Sequence, residues 1–305
     1  MPVDSELQPM LEAMSGGPLL KDVPLEQLRG GPSPIPTESP VPLPRIANRL
    51  IPSDRGSLPV RLYYPRLGEP LPLLVFFHGG GFVLGNLESH DALSRLIALG
   101  ADCIVASVDY RLAPEHRFPA AADDALAAVR WAHADAAEIG ADPHAIVVGG
   151  DSAGGNLATV AALRVRDEGG PRLRGQLLIY PVTQLRSPRV GSMARCAEGY
   201  FLRASDMEWF ADMYLGESRS ETNPLASPLL APDLHGLPAA LLITAEFDPL
   251  HDQGRAYATR LREAGVDCEY SHYLGAIHGF FGMPASIGRR AVAESCTWLK
   301  RIFAA

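Results

Sequence analysis

Cysteine is scarce in this chain. Cys103, Cys196, Cys268 and Cys296 stand far apart with no C-x-x-C pair. That pattern excludes a thiolate metal knuckle or a vicinal redox pair, and packed, reduced thiols are the expectation. Basic residues are also short: 27 Lys and Arg against 35 Asp and Glu leave a formal net charge of −8. A surface that neutralises phosphates needs the opposite balance, so nucleic acid is not an expected partner. No run approaches the ~18 apolar residues of a membrane span. The start, Met1-Pro2-Val3-Asp4-Ser5-Glu6, lacks the basic and apolar stretches of a secretory leader, so a cytoplasmic enzyme is expected. Histidine spacings such as H-E-x-x-H are missing as well, and no metal or organic cofactor is called for.

What the chain does have is apolar material. It is 47% hydrophobic and 20% charged over 305 residues, enough to bury a large core as two ordinary domains or one large α/β domain with an insertion. Residues 4–14 place Leu7, Met10, Leu11 and Met14 at helical spacing, and 24–29 allow another turn or two. Pro32, Pro34, Pro36, Pro40, Pro42 and Pro44 then forbid helix and predict an extended lead-in. The apolar face of the first segment needs cover, so residues 1–44 are expected to fold as part of a lid.

Ile46–Ile51 and Leu58–Tyr64 read as a hairpin across the turn-forming residues 52–57. Apolar runs follow at Leu71–Phe77, Cys103–Val108, Ile146–Val148, Leu177–Tyr180, Ala240–Thr244 and Asp267–Tyr273. Helical segments lie among them at 89–99, 120–139, 153–167, 252–264 and about 285–303. Buried runs alternating with helices predict an α/β fold with a mostly parallel, doubly wound sheet. About 60 residues separate the strands at 177–180 and 240–244, too many for a simple crossover. With one helical stretch at Ser205–Leu215, residues 184–230 read as an insertion above the sheet, between core segments 45–183 and 231–305. Val292, Cys296, Leu299 and Phe303 give the closing helix an apolar face suited either to the sheet or to a homodimer interface.

The stretch with chemical meaning is Gly150-Asp151-Ser152-Ala153-Gly154, a G-x-S-x-G pattern between a branched apolar strand and a helical segment. Such a turn holds a nucleophilic serine in a strained, exposed position, and its glycines allow a close passage that a Cβ would oppose. Chance alone supplies on the order of 0.1 such matches in a chain of this glycine content, so context has to decide. A serine hydroxyl attacking a carbonyl needs a base, an acid to orient that base, and donors for the oxyanion. In open α/β sheets these collect at the carboxyl ends of strands. His78-Gly79-Gly80-Gly81 follows the Leu71–Phe77 run directly. It is the glycine loop that supplies main-chain donors, with the N–H of Ala153 as partner. Among nine histidines, His278 alone lies in a loop shortly after the last predicted strand. His272 falls within that strand, His116 in a tight turn, and His133, His144, His235 and His251 in helical or polar surface contexts. Three carboxylates compete as the acid: Glu246, Asp248 and Asp252. Asp248 is favoured because it follows the strand on a turn stiffened by Pro249, whereas Asp252 suits a helix N-cap. The order Ser, Asp, His is that of α/β hydrolases.

Five segments together resemble the hormone-sensitive-lipase branch of the α/β hydrolases. They are the His78–Gly81 loop, Asp109–His116, Gly150–Asn156, Asp248-Pro249-Leu250 and His278-Gly279-Phe280. The G-D-S-A-G form is similar to microbial carboxylesterases of that branch. The resemblance implies Ser152 as nucleophile, Asp248 and His278 as its partners, and Gly80, Gly81 and Ala153 as oxyanion donors. It also implies a cap built from the N-terminal segment and residues 184–230. Gln253 and His251 depart from a frequent Glu and Arg of the family, and only local salt bridges are expected to change. In such a protein Asp109, Arg111 and Glu115 are expected to form charge-assisted pairs that brace the glycine loop. Asp151 is expected to support the site without acting in it.

The expected activity is hydrolysis of carboxylic esters with short to medium acyl chains. An amidase, peptidase or lactonase would use the same triad, and a non-catalytic ligand-binding hydrolase fold is a further alternative. Phe82, Met10, Met14, Trp209, Phe210, Met213 and Tyr214 are the candidate substrate contacts. Val83, Leu84, Tyr200, Phe201 and Met207 lie close to them in sequence.

Overall fold

Alternate side chains of Leu71–Phe77 are sorted to opposite faces of a sheet, and both faces are covered. Leu73, Val75 and Phe77 join one buried apolar cluster, Leu74 and Phe76 the other. A parallel strand flanked by helices on both sides needs this continuous apolar character, and each such side chain contributes about 1.5–3 kcal/mol when fully buried. The structure, a computed structural model, describes residues 2–14, 16–31, 36–53, 56–217 and 220–305. Pro32 and Pro34 of the predicted lead-in, Asp54 and Arg55 of the predicted turn, and positions 218–219 of the insertion lie outside the described residues.

In chain order the elements are α1 (Gln8–Met14), α2 (Leu25–Gly30), β1 (Arg45–Ser53), β2 (Gly56–Tyr64), β3 (Leu71–Phe77), α3 (Asp91–Ala101) and β4 (Ile104–Val108). Then come α4 (Ala120–Ala134), α5 (Ala136–Ile139), β5 (Ala141–Asp151), α6 (Ala153–Asp167), β6 (Gly175–Ile179), α7 (Gly191–Arg195) and α8 (Ala204–Leu215). The chain closes with β7 (Ala239–Phe247), α9 (His251–Glu263), β8 (Cys268–Ile277) and α10 (Ser286–Ala304). The eight strands form one sheet in the order β1-β2-β4-β3-β5-β6-β7-β8. Strand β2 runs antiparallel to both neighbours, and the other pairings are parallel.

The predicted hairpin and alternating strands are present. The strand expected at Ile146–Val148 runs over Ala141–Asp151 and the first helix starts at Gln8; three further boundaries bear on the site and the core. The helix expected over 120–139 is two helices, because Asp135 leaves helical geometry at φ −101°, ψ 13°. Strand β7 runs on to Phe247 and β8 to Ile277, where the two still pair beyond a register shift. Asp248 and His278 therefore follow directly on paired strand ends. The apolar face of α10 is used within the chain: Val292, Cys296 and Leu299 are buried in the cluster on the α3 side of the sheet, with Phe303 packed against it. A homodimer would need another surface. All four cysteines are buried free thiols, and among the described residues no helix is long and apolar enough to cross a membrane.

Candidate active site

Strand β5 ends at Asp151 and α6 begins at Ala153, which leaves Ser152 alone at φ 56°, ψ −116°. A side chain in that region is strained, and the surroundings over-determine it. The Ser152 N–H donates to the Ile179 carbonyl at 2.9 Å, and the Ser152 carbonyl accepts from Val182 and Asn156 at 3.1 Å each. The flanking glycines have no alternative. A Cβ on Gly154 would fall 1.8 Å from the Phe77 carbonyl oxygen, and one on Gly150 2.4 Å from the Gly154 carbonyl carbon.

His278 and Asp248 meet this serine. His278 Nε2 lies 2.9 Å from Ser152 Oγ and Nδ1 lies 2.7 Å from Asp248 Oδ2. With Nδ1–H donating to the carboxylate, Nε2 is the acceptor for the serine hydroxyl. Asp248 is fully buried, and its other oxygen accepts the Leu250 N–H at 2.8 Å, so Oδ2 is the one presented to the ring. The Tyr180 ring packs on His278 with centroids 4.6 Å apart. Burial, reinforced by the Asp151 and Asp248 carboxylates, pushes the Tyr180 phenol up and keeps it protonated. The competing carboxylates have other partners. Glu246 accepts the Gly275 N–H at 2.7 Å. Asp252 is not the expected N-cap, since Leu250 precedes α9; its Oδ2 instead accepts the Ser192 N–H of α7 at 2.8 Å.

The glycine loop closes the third side. Gly80 and Gly81 take φ 115° and φ 63°, and added Cβ atoms would lie 2.2 Å from the Leu84 carbonyl oxygen and from the Phe210 ring, respectively. The N–H groups of Val83 and Leu84 fold back on the Gly80 carbonyl. Among the described residues no chain acceptor takes the N–H groups of Gly80, Gly81 or Ala153. Below the loop, Tyr110 stacks on His78 at 4.3 Å and donates its hydroxyl to the His78 carbonyl at 2.7 Å. Burial, with the nearby His90 adding to it, lowers the His78 imidazole to about 4. Asp151 accepts the Gly79 N–H at 2.9 Å and so supports the loop, as expected.

The Asp109–His116 segment does brace the loop, through Tyr110 and through the Ala113 N–H on the Phe82 carbonyl. Arg111 and Glu115 pair with residues of other elements. Arg111 forms a fork on Asp124 of α4, and Glu115 pairs with Arg29 of α2 at 2.8 Å. Arg29 also donates to the Val83 and Ala113 carbonyls at 2.9 and 2.7 Å, tying the N-terminal segment to the glycine loop. At Gln253, Oε1 accepts the N–H groups of Thr183 and Gln184 at 2.7 Å each, which needs no charge.

The expected substrate contacts separate into three groups. Phe210 lies against Gly81, Trp209 is tilted on Phe210 at 5.1 Å, and Met213 packs partly buried on the same cluster. Tyr214 and Phe82 instead stack on each other at 3.9 Å and are almost fully buried, so they join α8 to the glycine loop rather than line a cavity. Met14 lines a cavity of about 340 Å³ with Leu11, Tyr200, Phe201 and Arg203, and none of Ser152, His278, Gly80 or Gly81 borders it. Met10 packs on the cluster around Tyr273 and Phe280. These two methionines sit where the N-terminal segment meets the rest of the chain, because Leu7 is the α1-side residue that docks fully. His90, which no spacing in the sequence singles out, lies 3.1 Å from Asp151.

A mostly parallel eight-stranded sheet with its serine elbow after β5, and with acid and histidine following β7 and β8, defines an α/β hydrolase. The chain belongs to the alpha/beta hydrolase fold family, in its hormone-sensitive-lipase-like branch, and the family matches residues 74–282. It is 48% identical over 240 residues to the carboxylic ester hydrolase LipN of Mycobacterium tuberculosis, a match covering 76% of this chain but only 63% of that protein. It is 42% identical over 264 residues to the carboxylesterase NlhH of the same species, covering 84% and 82%. Among solved structures it resembles a hyperthermophilic esterase from the archaeon Pyrobaculum calidifontis, with TM-score 0.93, 37% identity and all of both chains covered.

Proposed function

We propose that this chain is a serine carboxylesterase acting on short- to medium-chain acyl esters through an acyl-enzyme. The observation that carries this reading is the unbroken chain from Ser152 Oγ to His278 Nε2 (2.9 Å) and from His278 Nδ1 to Asp248 Oδ2 (2.7 Å). His278 takes the Ser152 proton as Oγ adds to the ester carbonyl. The N–H groups of Gly80, Gly81 and Ala153 donate to the developing oxyanion, where fixed donors in a dry site act most strongly. The imidazolium, oriented by Asp248, then protonates the leaving alcohol. Water, losing its proton to His278, attacks the acyl group and releases the acid and the free serine.

The described parts of residues 1–44 and 184–230 form the cap over this site, with Phe210, Trp209 and Met213 on its underside. A close aromatic ceiling over Gly81 favours short acyl groups. A cytoplasmic setting fits the four free thiols. A fluorophosphonate probe should label the protein stoichiometrically, and Ser152→Ala should lose both the label and turnover, by about 10⁴-fold or more. An intact protein that takes no label would overturn the enzyme reading. Turnover of nitrophenyl esters should peak at short to medium acyl length; a maximum at long chains would refute the pocket assignment.

A further inference from the structure

A second acid–histidine pair lies directly behind the serine turn. Asp151 Oδ1 sits 3.1 Å from His90 Nε2 and also accepts the Gly79 N–H at 2.9 Å. The Gly79 N–H approaches both Asp151 Oδ1 at 2.9 Å and His90 Nε2 at 3.4 Å; taking the shorter of the two as its bond leaves Nε2 to carry the proton that faces the carboxylate. The other ring nitrogen, Nδ1, lies 2.9 Å from Ser89 Oγ. Ser89 is locked to Asn86 by the Asn86 N–H to Ser89 Oγ at 3.0 Å and the Ser89 N–H to Asn86 Oδ1 at 2.9 Å; the one Ser89 hydroxyl proton has two acceptors in reach, His90 Nδ1 and the Asn86 carbonyl, each at 2.9 Å, and serves Nδ1 in the ring.

These bonds trace a closed ring. It runs from the Gly79 N–H through Asp151, His90 and Ser89 to Asn86, and the chain between Gly79 and Asn86 completes it. The segment enclosed contains Gly80 and Gly81. It has little slack, since a Cβ on Gly85 would fall 2.5 Å from both the Gly79 carbonyl oxygen and His78 Nδ1. Burial opposes charge on Asp151, yet His90, together with His78 and the Gly79 N–H, holds its carboxyl below the ordinary value, so the bond to His90 is charge-assisted. The His90 ring is mostly buried, tilted between His78 and Phe76.

We propose that His90 is a positioning residue for ester hydrolysis: by holding Asp151 and Ser89 together it closes the ring that aims the Gly80 and Gly81 N–H groups at the oxyanion. This role rests on the esterase reading given above. It locates the orientation of the oxyanion loop in a hydrogen-bonded ring whose members make no hydrogen bond to the triad side chains, though Asp151 adjoins Ser152 in the chain.

The test uses wild type, His90→Ala, His90→Gln and Ser89→Ala, each assayed with nitrophenyl acetate and with phenylboronic acid, which forms a tetrahedral adduct on the serine. Gln retains a side-chain N–H able to reach Asp151. For His90→Ala, kcat should fall about 10- to 100-fold with KM nearly unchanged, the loss expected when reacting groups are misplaced by a fraction of an ångström. Boronate affinity should fall by a similar factor, because the adduct uses the same donors. His90→Gln should recover most of both losses, and Ser89→Ala should show a smaller loss in both. A His90→Ala protein with kcat and boronate affinity within twofold of wild type overturns the proposal. So does a His90→Gln protein as impaired as His90→Ala, or a loss confined to KM. If His90→Ala does not fold, the Gln and Ser89 variants decide, and a normal boronate affinity in Ser89→Ala counts against the ring. Failure of the esterase reading itself would appear as a wild-type protein without turnover.

Discussion

The floor of the site and its ceiling are held by different physics. On the floor, Ser152, Asp248 and His278 each follow the end of a parallel strand, so the sheet's own ladder sets their separations. The backbone there has no freedom, as the 1.8 Å that a Gly154 Cβ would have to the Phe77 oxygen makes plain. The ceiling belongs to segments outside the sheet: Met207, Phe210, Ala211 and Tyr214 of α8 pack into the buried apolar cluster, and arginine side chains on carbonyls add ties from the N-terminal segment. Arg29 ties α2 to Val83 and Ala113, and Arg203 at the start of α8 donates to the Gly17 and Pro18 carbonyls at 3.2 Å. A ladder is cooperative and rigid; single side-chain ties, partly buried at Val83 and Ala113 and exposed at Gly17 and Pro18, yield one at a time. On the proposed reading, the reacting groups sit on the sheet's ends and the substrate-facing side chains on the segments that cover them.

The sharpest way to break this comparison is to remove one floor residue's charge without changing its shape. Asp248→Asn should lower kcat by about 10³- to 10⁴-fold, since the imidazole loses its orienting partner and its correct tautomer. Steady-state kinetics at pH 7 measure it, and a drop of less than tenfold would show that another group orients His278.

Next in size is an effect on stability. The buried His78 has its imidazole lowered to about 4, first by burial and then by His90. In the unfolded chain it titrates near 6.5, so between those values the unfolded state binds more protons and stability falls as the pH drops. The loss amounts to at most about 3 kcal/mol by pH 4. Urea unfolding at pH 7 and pH 4.5 should therefore show a steeper acid loss in wild type than in His78→Asn. Equal losses would mean that His78 is protonated without cost, and the floor would be less tightly built than described.

The smallest effect belongs to the ceiling. Arg29→Ala should raise KM for aryl esters about two- to fivefold and leave kcat within a factor of about two, the scale of a few partly exposed hydrogen bonds. Glu115→Gln should do less, because Glu115 is 53% exposed. If Arg29→Ala lowered kcat as much as it raised KM, the latch on Val83 would be part of the floor after all.

Much of the floor is legible in short stretches of the chain. Glycines around Ser152, the glycine loop after β3, and an acid and a histidine after two further apolar runs are local patterns, and each apolar run marks its strand. In the competition among Glu246, Asp248 and Asp252, turn chemistry favours Asp248, but the N-cap role by which it set Asp252 aside is not the one the structure gives that residue. The positions that escape such reading share one property: their partners are distant in sequence. His90 meets Asp151, Glu115 meets Arg29 of α2, and Asp252 meets Ser192 of α7. Nothing in the spacing of these residues encodes those encounters. The ceiling is legible only as an apolar set. Phe210 and Tyr214 lie on one helix at helical spacing, and periodicity does not tell that one rests on Gly81 while the other stacks on Phe82.

By itself, the sequence determined the order of strands and helices, the strained serine turn and the candidates for the reacting groups. Those follow from steric demands and apolar periodicity within short windows of chain. Only the tertiary structure decided that β7 and β8 pair far enough to set Asp248 and His278 side by side. It alone decided that the glycine loop is locked from behind, and which aromatic residues face it. Such contacts depend on how separate elements pack, and packing is a property of the whole core rather than of any one segment.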